Sequence, residues 1–466
     1  MHNLLKKEPK EQNKNRLNII IAGCGKVGAI LVARLSAAGH DITVIDEDPT
    51  VVQRITSTYD VMGVTGNGAS YSVQMEAGIS KCDLMIAVTE SDELNLLCCS
   101  MAQRMADCAS IARVRNPDYA AELSYIREQL GISLIINPEL DTAQEMARLL
   151  RMPGALEIDA FAKGNAELVK FKLPEKNVLC GKSVSETRDL NIDMLFCGVE
   201  REGNLFIADG STTFQAGDAI SVIATPINTH RFFKKIGIDT KHVRNCMIVG
   251  GSKTAYYLAK ELEDMNIDVK ILERDGKHCE ELALQLTKTL VLNGDGSDTK
   301  LLTEEGLAQT DSFIPLTGLD EENILLTLYA KKYSKAKIIT KINRMDFKPI
   351  TDNMDLDTVL YQQYMVTERI ATYVRAMQNS IGSNIETLYN IFDNRAEALE
   401  FRIRRGSKVC DKPIMELPLK KNLLLACINR KGRIIIPRGS DVLMPHDRLI
   451  VVTTHTGFKD VEDILA

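Results

Sequence analysis

LNIIIAGCGKVGAILVARLSAAGHDITVID, residues 17–46, decides how the chain folds. An apolar run at 19–22 leads straight into GCGKVG at 23–28. Behind it Val27, Ile30, Leu31, Leu35 and Ala38 recur at helical spacing and form one apolar stripe. A second apolar run at 42–45 ends on Asp46. Strand, glycine turn, amphipathic helix and strand in that order make a βαβ unit with a parallel sheet. In this setting the GxGxxG pattern has a physical meaning. The first glycine allows the tight turn, the second lets backbone approach a pyrophosphate, and the third packs helix against strand. Free N–H groups at the helix start face the phosphates. Asp46 can accept hydrogen bonds from both hydroxyls of an adenosine ribose and repels a 2′-phosphate, which favours NAD over NADP. The plain alternative is a tight turn that holds no ligand.

The same pattern returns 227 residues later as RNCMIVGGSKTAYYLAKELEDMNIDVKILE at 244–273. AVTESDELN (87–95) returns as PLTGLDEEN (315–323), and VEREGNLFIADGSTTFQAGD (199–218) as INRKGRIIIPRGSDVLMPHD (428–447). The register drifts by only two residues across the whole span, so the chain is a duplication. Each half opens with an α/β module whose apolar runs (19–22, 42–45 and 84–88 in the first) alternate with helical patterns. A shorter module richer in strands follows at 156–239 and again at 383–466, with hairpin turn signals at Glu202-Gly203 and Lys431-Gly432. The α/β modules are placed at 17–138 and 243–361, the joining segments 138–152 and 362–377 read as helices, and 1–16 reads as a disordered tail. The expected fold class is α/β, with two Rossmann-like doubly wound parallel sheets, each followed by a small β-rich α+β domain.

The second glycine turn, GGSKTA at 250–255, departs from the first. Ser252 adds a Cβ where backbone approaches phosphate most closely, although its hydroxyl can donate a hydrogen bond; Ala255 is tolerated in the third position. Glu273 keeps the ribose-reading carboxylate. Either this half keeps a working nucleotide site or it is a decayed copy held for packing. Thr89 and Thr317 close the fourth strand of each copy, where ligands meet open α/β sheets; they either touch a ligand or cap the next helix. Asp92, Asn95, Asp320 and Asn323 suit that helix's first turn. Arg113 and Arg115, with Lys341 and Arg344 in the second half, either pair with a diphosphate or are solvated strand ends.

Composition excludes several functions. The chain has 466 residues, 45% hydrophobic, and 57 basic against 63 acidic residues give a net charge of −6. That balance argues against nucleic-acid binding, which needs a basic face. No apolar run reaches the roughly 18–20 residues that cross a bilayer. The polar opening has no apolar core of a signal peptide, and eleven cysteines without a CxxC pair read as reduced thiols, so the expected compartment is the cytoplasm. The seven histidines show no metal-ligand spacing. Cys24 is a weak redox candidate, and Cys98-Cys99 reads as small core filling.

Two dinucleotide-binding modules, each followed by a β-rich module with a G…GS…D signature, resemble the TrkA family of potassium-uptake regulators. Its domains are called RCK N-terminal and RCK C-terminal, or TrkA-N and TrkA-C. The resemblance covers residues 17–466 and rests on GCGKVG with Asp46, VTGNGAS (64–70), LNGDGSD (292–298), AVTESDELN and ARVRNPDY (112–119). It implies a peripheral protein on the inner face of the membrane, docked on a separate membrane-embedded, potassium-translocating subunit. NAD(H), and adenine nucleotides such as ATP or ADP, would control transport. The implied assembly is a homo-oligomer, a tetramer whose eight modules form a ring. The implied nucleotide contacts are Gly23, Cys24, Gly25, Lys26, Val27 and Gly28 with Asp46, Thr89, Glu90 and Arg113. In the second half they are Gly250, Gly251, Ser252, Lys253, Thr254, Glu273 and Thr317. The competing reading is an NAD-dependent oxidoreductase, which needs a substrate domain and a proton donor. No His or Lys–Tyr pair stands at equivalent places in the two halves, and catalysis is not expected. A redox-sensing repressor would need a helix-turn-helix that the chain lacks.

Overall fold

The computed structural model describes residues 16–466 except 107, 121, 239–241, 355, 381–384 and 393–394. The tail expected at 1–16 therefore lies outside the described residues apart from Arg16. The described residues up to Ile136 and those from Asn137 onward form two compact units. In the first, β1 (Asn18–Ala22), β2 (Asp41–Asp46), β3 (Met62–Thr65), β4 (Leu84–Ala87), β5 (Ala109–Arg113) and β6 (Leu134–Ile136) make one parallel sheet in the order β3-β2-β1-β4-β5-β6. Ile19, Ile20, Ile21 and Ala22 are all buried, as a strand covered on both faces requires. β1 pairs with β2 on one side and β4 on the other. The strand order reverses there, which opens a crevice at the carboxyl ends of those strands.

The second unit holds three sheets. β7 (Glu157–Phe161), β8 (Ala166–Lys172), β9 (Met194–Arg201), β10 (Asn204–Ile207) and β11 (Ala219–Ala224) form an antiparallel sheet ordered β10-β9-β11-β8-β7. A second parallel sheet follows, β14-β13-β12-β15-β16-β17, from β12 (Asn245–Val249), β13 (Asp268–Glu273), β14 (Leu290–Asn293), β15 (Ser312–Pro315), β16 (Lys337–Ile342) and β17 (Thr358–Tyr361). The last sheet, β18-β19-β22-β20-β21, contains β18 (Ile385–Ile391), β19 (Ala396–Arg402), β20 (Leu423–Arg430), β21 (Arg433–Ile435) and β22 (Arg448–Thr453). Glu202-Gly203 and Lys431-Gly432 close hairpins with both residues at positive φ (+50° and +79°, +53° and +88°), the turn whose twist matches paired strands.

The two small sheets stack on each other, which the sequence did not announce. Strand alternation sends Phe171 and Phe196 to one face, where they meet Phe233 and Phe232 of the helix Pro226–Ile236 at ring distances of 5.2 and 5.8 Å. It sends Ala166, Leu168, Cys197 and Ile223 to the other, against Ala398, Ala426, Cys427, Ile450 and Val452. Phe161 meets Tyr389 edge-on at 4.6 Å. At the rim Arg395 pairs with Glu200 and donates to Gly203 O at 2.9 Å. The G…GS…D signature proves structural: Arg201 grips Asp218 through two bonds of 2.8 Å, and Arg430 grips Asp447 at 2.9 and 2.7 Å. Both carboxylates are buried.

The joining helix spans Pro138–Arg151, capped by Asn137 and with proline in its first turn. It packs along the helix Lys253–Asp264, and Asn137 Nδ2 donates to the Tyr257 hydroxyl at 3.1 Å. Just beyond it, Lys337 Nζ donates to Ala155 O at 2.7 Å and to Thr358 Oγ1 at 3.0 Å. Burial pushes this ammonium down from 10.5 to about 8, against the opposing pull of Asp357. The unfolded chain therefore binds the extra proton between those values, so stability contributed at this position rises with pH from about 8 to 10.5. Thermal melts of wild type and Lys337→Met should show the difference between them shifting toward wild type across that window, by up to about 3 kcal/mol. A pH-independent difference would remove the buried ammonium from the account.

Candidate functional site

The first glycine turn sits at the crevice between β1 and β4. Gly23 adopts φ +93°, and a Cβ there would lie 2.7 Å from Thr89 N. A Cβ on Gly28 would lie 2.0 Å from Gly23 O, so the third glycine is required by the helix running directly over the turn. Gly25 is different: a Cβ on it would meet nothing within 4 Å. It is the N-cap of the helix Lys26–Ala37 and offers no side chain to the helix start, leaving bare backbone on open space. Asp46 closes the turn from β2, accepting from Cys24 N at 2.7 Å and from Asp48 N at 3.0 Å. Helix-start backbone without a side-chain cap and a carboxylate thus stand on the same turn.

Around this centre the other expected residues divide. Gly25, Lys26 and Glu90 are exposed, whereas Val27 and Gly28 are buried. Thr89 N and Oγ1 both donate to Asn95 Oδ1, at 2.8 and 2.7 Å, while Asn95 Nδ2 reaches Thr89 O and Arg113 O. Asn95 is thus a buried brace between β4 and β5, as its place in the helix's first turn led one to expect. Asp92 accepts from the backbone of Arg115 and Asn116, both at 2.8 Å. Cys24 is fully buried; burial first and the Asp46 charge second push its thiol up to about 12, which leaves it unreactive. Cys98 and Cys99 are core residues.

The second turn repeats this frame. Gly250 lies at φ +98°, and Glu273 accepts from Gly251 N at 2.6 Å and Asp275 N at 2.8 Å. Thr317 and Asn323 repeat the brace at 2.9 and 2.8 Å. The helix start differs. Ser252 is the N-cap of Lys253–Asp264, and its hydroxyl accepts from Ala255 N at 3.4 Å. Its own oxygen therefore occupies part of the space that the first turn leaves to a ligand. Lys253 is exposed and Thr254 buried. Lys341, the counterpart of Arg113, is also buried, and Arg344 pairs with Asp320 and Glu321.

A cavity of about 400 Å³ opens at this turn, with Arg274, His278, Gly294, Asp295 and Gly296 in its wall. Sequence reasoning passed over these five as site residues. The signal was present in the recurring GxG of VTGNGAS and LNGDGSD: a Cβ on Gly296 would lie 2.1 Å from Val249 Cγ1, so glycine lets this loop lie against β12. His278 Nε2 shares a hydrogen bond with Gly251 O at 2.7 Å. Among the described residues no group of His, Cys, Asp or Glu is arranged to hold a metal, and no helix is long and apolar enough to cross a membrane.

The TrkA-N domain model matches residues 19–138 and 246–362, and the TrkA-C domain model matches 168–237 and 398–466. The Trk system potassium uptake protein TrkA homolog 1 of Methanosarcina mazei is 30% identical over 96% of this chain and 99% of its own. The chain belongs to the TrkA family. The TrkA protein of Haemophilus influenzae is 31% identical over 93% of this chain and 95% of its own. As a TrkA-family member, the chain falls among potassium-uptake proteins rather than dehydrogenases. A solved structure described as the GsuK channel bound to NAD shares the fold at a TM-score of 0.64 and 16% identity, covering 96% of this chain and 78% of that one.

Proposed function

We propose that this protein is a nucleotide-sensing regulatory subunit of a potassium uptake transporter and works without catalysis. The observation that carries the reading is the uncapped helix start under Gly25, facing open space beside the Asp46 carboxylate. NAD(H) is the ligand this turn fits, with ATP or ADP able to use the same phosphate and ribose contacts. Such a ligand regulates only through a difference in affinity between two arrangements of the assembly, because equal affinity shifts nothing. The partner is a membrane-embedded potassium-translocating subunit, and the working form is a homo-oligomeric ring, a tetramer in the family pattern. The protein then sits at the cytoplasmic face of the membrane through protein contacts.

A nucleotide panel in a thermal-shift assay tests the reading. At a hundredfold excess over Kd, a ligand of the folded state contributes about 2.7 kcal/mol, a rise of several degrees. NADH should give that rise while a panel of alcohols, hydroxy acids and aldehydes gives no absorbance change with NAD at 340 nm. Multiple turnover with any of them would replace the regulatory reading by the oxidoreductase one. No shift with any nucleotide would remove the sensing.

A further inference from the structure

The duplication supplies an internal control for each module, and the last sheet fails to match its twin at one place. A cavity of about 380 Å³ there is walled by Ile385, Glu386, Arg402, Ile403, Arg404, Arg405 and His446. Arg402, Arg404, Arg405 and His446 are exposed. The single carboxylate in the wall is already engaged, since Glu386 pairs with Arg448 at 2.8 Å. Three arginines thus line one concavity whose only carboxylate residue, Glu386, is already paired. Like charges gathered in this way repel one another and attract a multivalent anion.

The first copy has nothing comparable. At the positions of Arg402, Arg404 and Arg405 it carries Lys172, Pro174 and Glu175, a neutral set. At the position of His446 it carries Gly217, in left-handed backbone at φ +86°. His446 holds the same left-handed backbone at φ +73°, where a residue with a Cβ is disfavoured. The second copy therefore places an imidazole beside three arginines at a position where glycine is the easier residue. Backbone of this kind in a side-chain-bearing residue is a pointer to function when a cavity lies beneath it.

We infer that this cavity binds a phosphate-bearing anion, held by Arg402, Arg404 and Arg405 with His446 above. Guanidinium groups match phosphate oxygens in paired hydrogen bonds, and several of them around one concavity select multiple charge over a single carboxylate. The site lies on the second small module and is independent of both glycine turns. Its ligand is either a soluble phosphate compound or the phosphate of a lipid headgroup.

The test uses the full chain at low salt, where exposed charges are least screened. Calorimetry with inorganic pyrophosphate reads the soluble source. Flotation with phosphatidylcholine vesicles, with and without phosphatidic acid, reads the lipid source. Binding in either arm, weakened at least about tenfold by Arg404→Gln with Arg405→Gln, is the expected result. Both arginines are exposed, so the double variant should melt with wild type; His446→Gly gives a second variant that relaxes the backbone and removes the ring. Absence of binding in both arms overturns the inference, and so does binding that the arginine pair leaves unchanged.

Discussion

Asp46→Ala should remove most NADH binding measured by calorimetry, while Glu273→Ala changes it little. The two carboxylates perform the same internal task, each accepting from a backbone N–H of its glycine turn, at 2.7 Å from Cys24 and 2.6 Å from Gly251. Both variants therefore lose the same turn bond, and the difference between them reports which turn holds the ligand. In the nucleotide complex we propose, the first turn's carboxylate would also accept from two ribose hydroxyls. Losing one or two charge-assisted bonds costs roughly 1.5–3 kcal/mol each, and even one corresponds to tenfold or more in affinity. In the second turn the Ser252 hydroxyl already caps the helix start, so less dinucleotide affinity exists to be lost. If Glu273→Ala were the damaging change, the tighter site would belong to the second half.

Arg430→Ala carries the largest expected loss of stability. Asp447 is 2% exposed, and Arg430 supplies both of its side-chain partners while also donating to Val442 O at 2.9 Å. Truncating the cation strands a buried carboxylate, which costs about 3–5 kcal/mol. The melt should fall by many degrees or the variant should fail to accumulate as folded protein. Adding Asp447→Asn should recover part of the loss, because a neutral amide is less costly to bury than an unpaired charge. A melt within a degree of wild type for Arg430→Ala would show that the clamp is replaceable by solvent.

Much of this was legible from residues alone, for definite reasons. The βαβ unit announced itself because a glycine turn and a helical stripe are local patterns. The duplication was legible because the offset between the copies, 227 residues at the first glycine turn, changes by only two as far as Asp218 and Asp447. Asn95 was read as structural from its place in the helix's first turn, and it is the brace at Thr89 and Arg113. What escaped was contact between distant strands. Leu168 and Ile450 lie on inner faces of two small sheets, and nothing in either strand's alternation says which partner covers it. The Gly294–Gly296 loop also escaped, because a glycine needed for close approach to Val249 looks like any other turn glycine until β12 lies beside it.

The stacked small sheets carry one more consequence. Two such sheets on separate chains would find each other only at a rate set by protein concentration, and would part on dilution. Here one polypeptide tethers them, so their pairing is unimolecular and keeps its strength at any concentration. A pairing between identical chains must also be self-complementary, every contact occurring twice. The tethered pair is released from that rule. Arg395 grips Glu200 at one rim, while the corresponding positions of the other copy are Asn165 and Asn429. Covalent linkage has let the two sides of one interface drift into different residues without coming apart.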